Sequence, residues 1–287
     1  MNFLSEAQAL EGEMRAFFED LHRHPEPSHF ENRTNRRVRE QLRAHQIDML
    51  CPKDNITIAV IHGAKPGKTV GLRFDTDALQ LQELCDVPYK SETDGLMHGC
   101  GHDAHTTCGV FVARLLKAHA DALCGTYKII FQPAEEAMVG ARHVVEQGLF
   151  QRVKLSALLG MHVWPQLPRG EVGLRAGAFF AAVDNFRIVI TGRGGHGSTP
   201  NLSRSPIGAG AALALAIPAI KAYDLPPTEP ATVAVTLLQA GYCNNVIPDT
   251  CELQGTIRTF SEEARHIVAQ RLQELTRSTA TAWGCTG

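Results

Sequence analysis

The sequence has no surplus of either charge: 28 Lys and Arg stand against 30 Asp and Glu, a formal net charge of −2. Without a basic excess, neither nucleic acid nor an acidic membrane surface is an expected partner. The best-defined charge run, Arg33 to Arg39, is interrupted by Thr34, Asn35 and Val38 and reads as a solvated helix face. Long apolar runs are also missing. The longest, Ala209 to Ile220, is broken by Pro218 and falls short of the ~20 residues that a membrane span needs. Glu6, Glu11 and Glu13 stand where a secretory signal would carry its apolar segment, so no leader is expected. The eight cysteines form no short-spaced pairs, which argues against a disulfide framework. They read instead as reduced thiols of a cytoplasmic protein. Internal repeats and low-complexity tracts are absent. What is left is an ordinary soluble composition, and at roughly 150 residues per domain its length suggests two domains.

Leu10, Met14, Phe17, Phe18 and Leu21 follow a 3.6-residue period and predict a helix over 4–22, broken by His24-Pro25-Glu26-Pro27. A second helix is predicted over 34–45. Short strands rich in β-branched residues follow at 56–61 and 69–74, separated by a turn at 63–67. A helix over 103–119, a strand over 126–131, a helix over 137–146 and a buried apolar strand over 155–162 complete the first half. This alternation predicts a mostly parallel sheet covered by helices on both faces, with ligands at the carboxyl ends of its strands. Near Phe179 the pattern changes. Strands at 183–191, 232–240 and 250–259 and helices at 207–223 and 261–283, the last capped by Ser261, give the order β-α-β-β-α. That is most of a ferredoxin-like unit, one strand short of completion. The fold class is therefore α/β, with domains expected at 1–178 and 179–287.

The chemistry concentrates in Met97-His98-Gly99-Cys100-Gly101-His102-Asp103-Ala104-His105, where five potential ligands fall within eight positions. Cys100 and His102 can reach one metal if the glycines between and before them allow a tight backbone. Thiolate with imidazole favours zinc or a similar transition metal. Histidines at a helix start can also be caps or core partners. Glu135 and Glu136 follow a predicted strand. Adjacent glutamates are common on solvated surfaces, but one can bind metal while its neighbour takes a proton from metal-bound water. His162 ends a further strand, where a lone histidine is more often a core residue. Asp75 and Asp77 lie on one side of a strand end. Asp77 either holds a ligand histidine in its working tautomer or caps the next turn. Gly192 to Gly197 matches neither a P-loop nor a dinucleotide fingerprint, so nucleotide binding is set aside. His196, held on that loop, is suited to stabilising an oxyanion.

These stretches resemble, in order, the aminoacylase-type metal amidohydrolases and peptidases, which include hippurate hydrolase, N-acyl-amino-acid amidohydrolases and the auxin-conjugate hydrolases. The motifs are LHRHPE at 21–26, LRFDTDAL at 72–79, MHGCGHDAHT at 97–106, FQPAEE at 131–136, GMHVWPQLPRGEVG at 160–173, GRGGHGSTP at 192–200, NVIPD at 245–249 and GTIRTF at 255–260. The resemblance implies a catalytic domain holding two divalent ions (zinc, manganese, cobalt or nickel) and an inserted lid domain through which a homodimer forms. It implies Cys100, His102, Glu136 and His162 as metal ligands, Glu135 as general base and acid, and Asp77 behind the metal site. His196, Asn245 and Arg258 would serve the substrate's carbonyl and carboxylate, and the lid histidine would reach the partner subunit's site. The implied reaction is hydrolysis of the amide bond of an N-acyl amino acid or peptide-like small molecule. Aminopeptidase or dipeptidase activity, or a non-catalytic metal-binding dimerisation module, are the alternatives. Phe74, Thr76, Gly99 and Gln80 depart from the usual residues and would reshape the pocket without changing its chemistry. Relatives of this kind continue further, to a last lid strand and another histidine ligand. The resemblance therefore implies a C-terminally truncated chain that binds the second metal poorly and has little activity.

Overall fold

The computed structural model describes residues 1–148 and 155–287. Contacts divide the chain into two units, Met1–Gly170 and Glu171–Gly287.

In the first unit the apolar period of the N-terminus forms two helices, α1 (Phe3–Ala9) and α2 (Glu11–Arg23), where one was predicted. Leu10 caps α1 and precedes α2 with ψ near 2°, which interrupts the helical path. α3 (Asn32–Ala44) begins where the Glu26 carboxylate accepts the Arg33 and Thr34 amides at 2.9 and 2.7 Å. This satisfies amides that a helix start leaves unpaired. Phe17 and Leu21 of α2 and Val38 and Leu42 of α3 pack into one core with Phe74, Val110, Phe111, Ile129 and Phe131.

The sheet has the order β1-β2-β4-β3-β5. Its strands are β1 (Asp48–Lys53), β2 (Ile56–His62), β3 (Lys65–Asp75), β4 (Cys124–Gln132) and β5 (Ala157–Gly160). The pairs β3–β4 and β3–β5 are parallel, while β1–β2 and β2–β4 are antiparallel. The expectation of a mostly parallel sheet is thus corrected to a mixed one. The reason is connection length. Asp54-Asn55 is a hairpin turn, and Gly63-Ala64 is too short for a helical crossover, so β2 and β3 run in opposite directions on either side of β4. Only α4 (His102–Ala118), between β3 and β4, and the segment carrying α5 (Gly140–Glu146), between β4 and β5, allow parallel pairing. From β3 the chain steps to β4 on one side and later to β5 on the other, so β3 lies at the switch point where such sheets bind ligands. β5 is shorter than predicted and is not buried. Among the described strands it pairs with β3 alone, at the sheet edge, and Leu158 and Leu159 are 48% and 57% exposed.

The second unit has a three-stranded antiparallel sheet, β6-β10-β8, from β6 (Ala182–Thr191), β8 (Ala231–Ala240) and β10 (Thr250–Thr259). A small ribbon pairs β7 (Gly195–His196) with β9 (Val246–Ile247). β10 alternates buried and outward residues, so Cys251, Leu253 and Ile257 meet Leu213, Ile217, Val268 and Leu272 in one core. The helix predicted over 207–223 is interrupted at Ile217-Pro218, giving α6 (Pro206–Ala216) and α7 (Ala219–Tyr223). Proline lacks the amide that would continue the ladder. α8 (Glu262–Ala282) starts as predicted, with Ser261 Oγ accepting the Ala264 amide. The order β-α-β-β-α is present. No described helix is long and apolar enough to cross a membrane.

Candidate metal centre

Three strand ends and one helix start build the site within the first unit. Asp75 is the last residue of β3, and Asp77 follows two residues later. Gly101 caps α4 in the left-handed region, at φ 81°, and His102 is the first helical residue. A Cβ at Gly101 would lie 2.5 Å from Val163 Cγ2, so the close approach also requires glycine. Glu135 and Glu136 follow β4, and His162 follows β5. Their ligand atoms form clusters in which every pair lies within 4.8 Å: Cys100–His102–His162, Asp75–His102–His105 and His102–Glu135–Glu136. His102, fully buried, is common to all three.

Hydrogen bonds decide which atoms are free to bind. His102 Nδ1–H donates to Asp77, to its carbonyl at 2.9 Å and to Oδ1 at 3.2 Å. That leaves a lone pair on Nε2, a buried atom with no protein partner. It lies 3.5 Å from Asp75 Oδ2 and 3.9 Å from Glu136 Oε1, which is also buried and partnerless. His162 Nδ1–H donates to the Val163 carbonyl at 2.7 Å, and its Nε2 lies 3.4 Å from Cys100 Sγ. His105 differs: Nδ1 donates to Asp75 Oδ1, and Nε2 accepts the Val163 amide at 2.9 Å. With both nitrogens engaged, it is less suited to be a ligand than its neighbours. Asp77 is engaged as well, since its Oδ2 accepts from Ser28 Oγ at 2.7 Å and the Glu136 amide at 2.9 Å.

The electrostatics call for positive charge at His102 Nε2. Burial alone would lower the His102 pKa. The hydrogen bond to Asp77, the nearby Cys100 sulfur and the charges of Asp75 and Asp77 outweigh it and push the value up to about 11. Asp75, despite burial, is held down to about 2, chiefly by its bond to His105 and the charges of His102 and Arg73. Burial raises Glu136, with Glu135 and Asp77 adding repulsion. Carboxylates that hold a proton on a buried imidazole favour a divalent cation in the same place. A thiol, two imidazole lone pairs and a carboxylate form a donor set that suits a transition metal. The residues present fit a metal, with partnerless buried atoms aimed at one another.

Several supporting residues lie inside the recognised motifs but had no role readable from them. His22 bridges Asp103 at 2.6 Å and Glu83 at 3.2 Å, pinning the first turn of α4. His98 is buried with neither ring nitrogen partnered. Only the fold joins such groups, since His22 and Asp103 are 81 positions apart. The remaining candidates lie in the second unit. His196 pairs with Val246 in the β7–β9 ribbon, and the neighbouring Asn245 accepts the Gly197 amide through its carbonyl at 2.8 Å. His196 Nδ1 accepts from Ser198 Oγ and the Ser198 amide, at 2.7 and 3.1 Å, so Nε2 carries the hydrogen. Arg258, on β10, donates to the Ile257 carbonyl at 3.1 Å and to Thr256 Oγ1.

A mixed α/β sheet whose strand ends gather thiol, imidazole and carboxylate groups has the donor set of a metal enzyme, and comparison with known proteins makes its class a metal-dependent hydrolase. The chain matches Peptidase family M20/M25/M40 over residues 71–284 and belongs to that family. It is 41% identical to an N-acetylcysteine deacetylase of Bacillus subtilis, over 92% of this chain and 70% of the relative. It is 37% identical to thermostable carboxypeptidase 2 of Saccharolobus solfataricus, over 93% of this chain and 68% of that one. Among solved structures, a Bacillus subtilis protein described as a dinuclear metal-binding peptidase of the M20 family superposes with a TM-score of 0.82. That match has 37% identity and covers 97% of this chain and 72% of that protein.

Proposed function

We propose that this enzyme hydrolyses the amide bond of N-acyl amino acids, with Cys100, His102, Glu136 and His162 as the ligands of two divalent ions and Glu135 as the proton carrier. Zinc, manganese, cobalt and nickel all suit these donors. When bound, such ions supply Lewis acidity and lower the pKa of a coordinated water toward ~7. The observation that carries the reading is the pair of buried, partnerless atoms, His102 Nε2 and Glu136 Oε1, facing each other at 3.9 Å.

Glu135, next to a ligand but not engaged by Asp77, takes a proton from the attacking water and returns it to the leaving amine. Asp77 fixes the tautomer of His102, and His105 steadies the backbone beside His162. His196, with its hydrogen on Nε2, is an oxyanion donor. Asn245 and Arg258 hold the substrate carboxylate, a task suited to the guanidinium fork. The second unit acts as a ferredoxin-like lid and forms a homodimer, and the enzyme works in the cytoplasm. A deacetylase of N-acetylcysteine and a carboxypeptidase both release an amino acid with a free carboxylate, which supports this substrate class. The carboxypeptidase likeness also favours a second reading, removal of a C-terminal residue from a short peptide.

The test is Glu135→Ala in the full-length protein, assayed on N-acetyl amino acids and dipeptides with metal content measured alongside. Turnover falls by at least about 10²-fold while metal content stays at the wild-type level. Undiminished turnover would sink the role given to Glu135.

A further inference from the structure

Glu31 is fully buried, yet it belongs to none of the metal clusters. Its Oε1 accepts the Ala134 amide at 2.6 Å and the His29 amide at 3.1 Å, and its Oε2 accepts Asn55 Nδ2 at 3.1 Å. Burial still raises the Glu31 pKa, and the three donors offset only part of that cost. The two backbone donors share an uncommon property. Ala134 and His29 both have positive φ, 50° and 75°, a region disfavoured for residues with a Cβ. Such a conformation persists only where the surroundings over-determine it.

Ala134 directly precedes Glu135, and the amide on the other side of Glu135, that of Glu136, is accepted by Asp77 Oδ2 at 2.9 Å. The backbone N–H groups of the residues before and after Glu135 are therefore each held by a buried carboxylate from a different part of the chain. The turn is closed by Met138 N–H to the Glu135 carbonyl at 2.7 Å and Gly140 N–H to the Ala134 carbonyl at 3.0 Å. A Cβ at Gly140 would stand 1.6 Å from the Pro133 carbonyl oxygen, so the turn has no room to relax in that direction.

We propose that Glu31 is a positioning residue for Glu135: by accepting the Ala134 amide it holds the Pro133–Glu136 turn in the left-handed form that aims the Glu135 carboxylate. This rests on the reading of Glu135 as the proton carrier. It gives Glu31 and Asp77 matched tasks, one on each side of that residue. A latch that only joined the α3 entry to the β1–β2 turn through Asn55 would affect folding and leave turnover per folded molecule unchanged.

The experiment compares Glu31→Met, Glu31→Gln, Glu31→Asp and Glu135→Ala in the full-length protein, by steady-state hydrolysis of an N-acetyl amino acid, metal content and thermal melting. Glu31→Met removes the acceptor, and kcat falls on the order of 10²-fold with metal content retained. KM stays within about threefold, because only the transition state needs the aimed carboxylate. Glu31→Gln keeps an oxygen for the Ala134 amide and restores kcat to within about threefold of wild type. Glu31→Asp keeps the charge but withdraws the carboxylate by one methylene, and its kcat falls at least about tenfold. A folded, metal-loaded Glu31→Met with wild-type kcat overturns the proposal. If that variant does not fold, a folded Glu31→Asp with wild-type kcat, or a Glu31→Gln more than about tenfold slower, overturns it equally. Glu135→Ala separates the two readings. Undiminished turnover there removes the role of Glu135, whereas its collapse beside an unaffected Glu31 series removes the Glu31 proposal alone.

Discussion

Replacing Asp77 by asparagine changes one heavy atom, turning one acceptor oxygen into an NH2 donor. Asp77 Oδ1 takes His102 Nδ1–H at 3.2 Å, and Oδ2 takes Ser28 Oγ–H at 2.7 Å and the Glu136 amide at 2.9 Å. An asparagine has one acceptor oxygen, so one side must now present N–H to a donor. The side with two bonds keeps the oxygen, which turns the new amide group toward His102 Nδ1. Two donors then face each other, and the tautomer with hydrogen on Nε2 becomes more favourable. That hydrogen would occupy the lone pair needed for metal. Loss of such a supporting partner costs ~10–100-fold in metal affinity. The Asp77 carbonyl still accepts His102 Nδ1–H at 2.9 Å, and it offsets part of the effect. The expected loss is therefore about tenfold, near 1.4 kcal/mol. Competition against a chromophoric chelator measures it directly. An unchanged Kd for zinc and manganese would refute the assignment of Asp77 as the group that orients His102.

His22→Gln leaves Asp103 and Glu83, both almost wholly buried, without the imidazolium that bridges them. Breaking a buried ion pair in this way costs about 3–5 kcal/mol, measurable by denaturant titration, and a loss below about 1 kcal/mol would contradict the bridge. The bond to Asp103 raises the His22 pKa above its ordinary 6.5. Its stabilisation is thus fully present below the unfolded value and fades as pH rises through the folded one. Wild type should lose melting temperature as pH rises through that window, and His22→Gln should show a flatter profile. In the second unit, Leu253→Ala empties a fully buried position and is expected to cost about 2–5 kcal/mol in a denaturant melt. Ser261→Ala removes the cap of α8 and should cost about 1 kcal/mol, with no effect on metal content.

The sequence made the donor types legible because Cys100 and His102 are two residues apart and Glu135 and Glu136 are adjacent. Their places at strand ends followed from alternating apolar runs and helices. The turn at 63–67 was legible and sets β2 antiparallel to β3, but the sequence does not show that β4 inserts between them and so takes one antiparallel and one parallel neighbour. The burial of β5 was misread because an apolar Leu158-Leu159 pair reads the same in an edge strand as in a central one. At Asp77 the sequence left two readings level. The contact with His102 exists only once α4 packs against the end of β3. Glu31 gave no sequence signal beyond its nearness to a proline-rich turn, since its bond to Ala134 spans 103 positions. The motifs thus marked the reacting groups, while the groups that aim them depend on tertiary contacts.

We propose Cys100, His102, Glu136 and His162 as the metal ligands. Zinc-edge X-ray absorption on the full-length, zinc-loaded protein tests this assignment most directly. These ligands give a sulfur neighbour at ~2.3 Å together with nitrogen and oxygen neighbours at ~2.0–2.2 Å, and Cys100→Ser loses the sulfur shell. A wild-type spectrum with no sulfur shell, or one unchanged in Cys100→Ser, would contradict it.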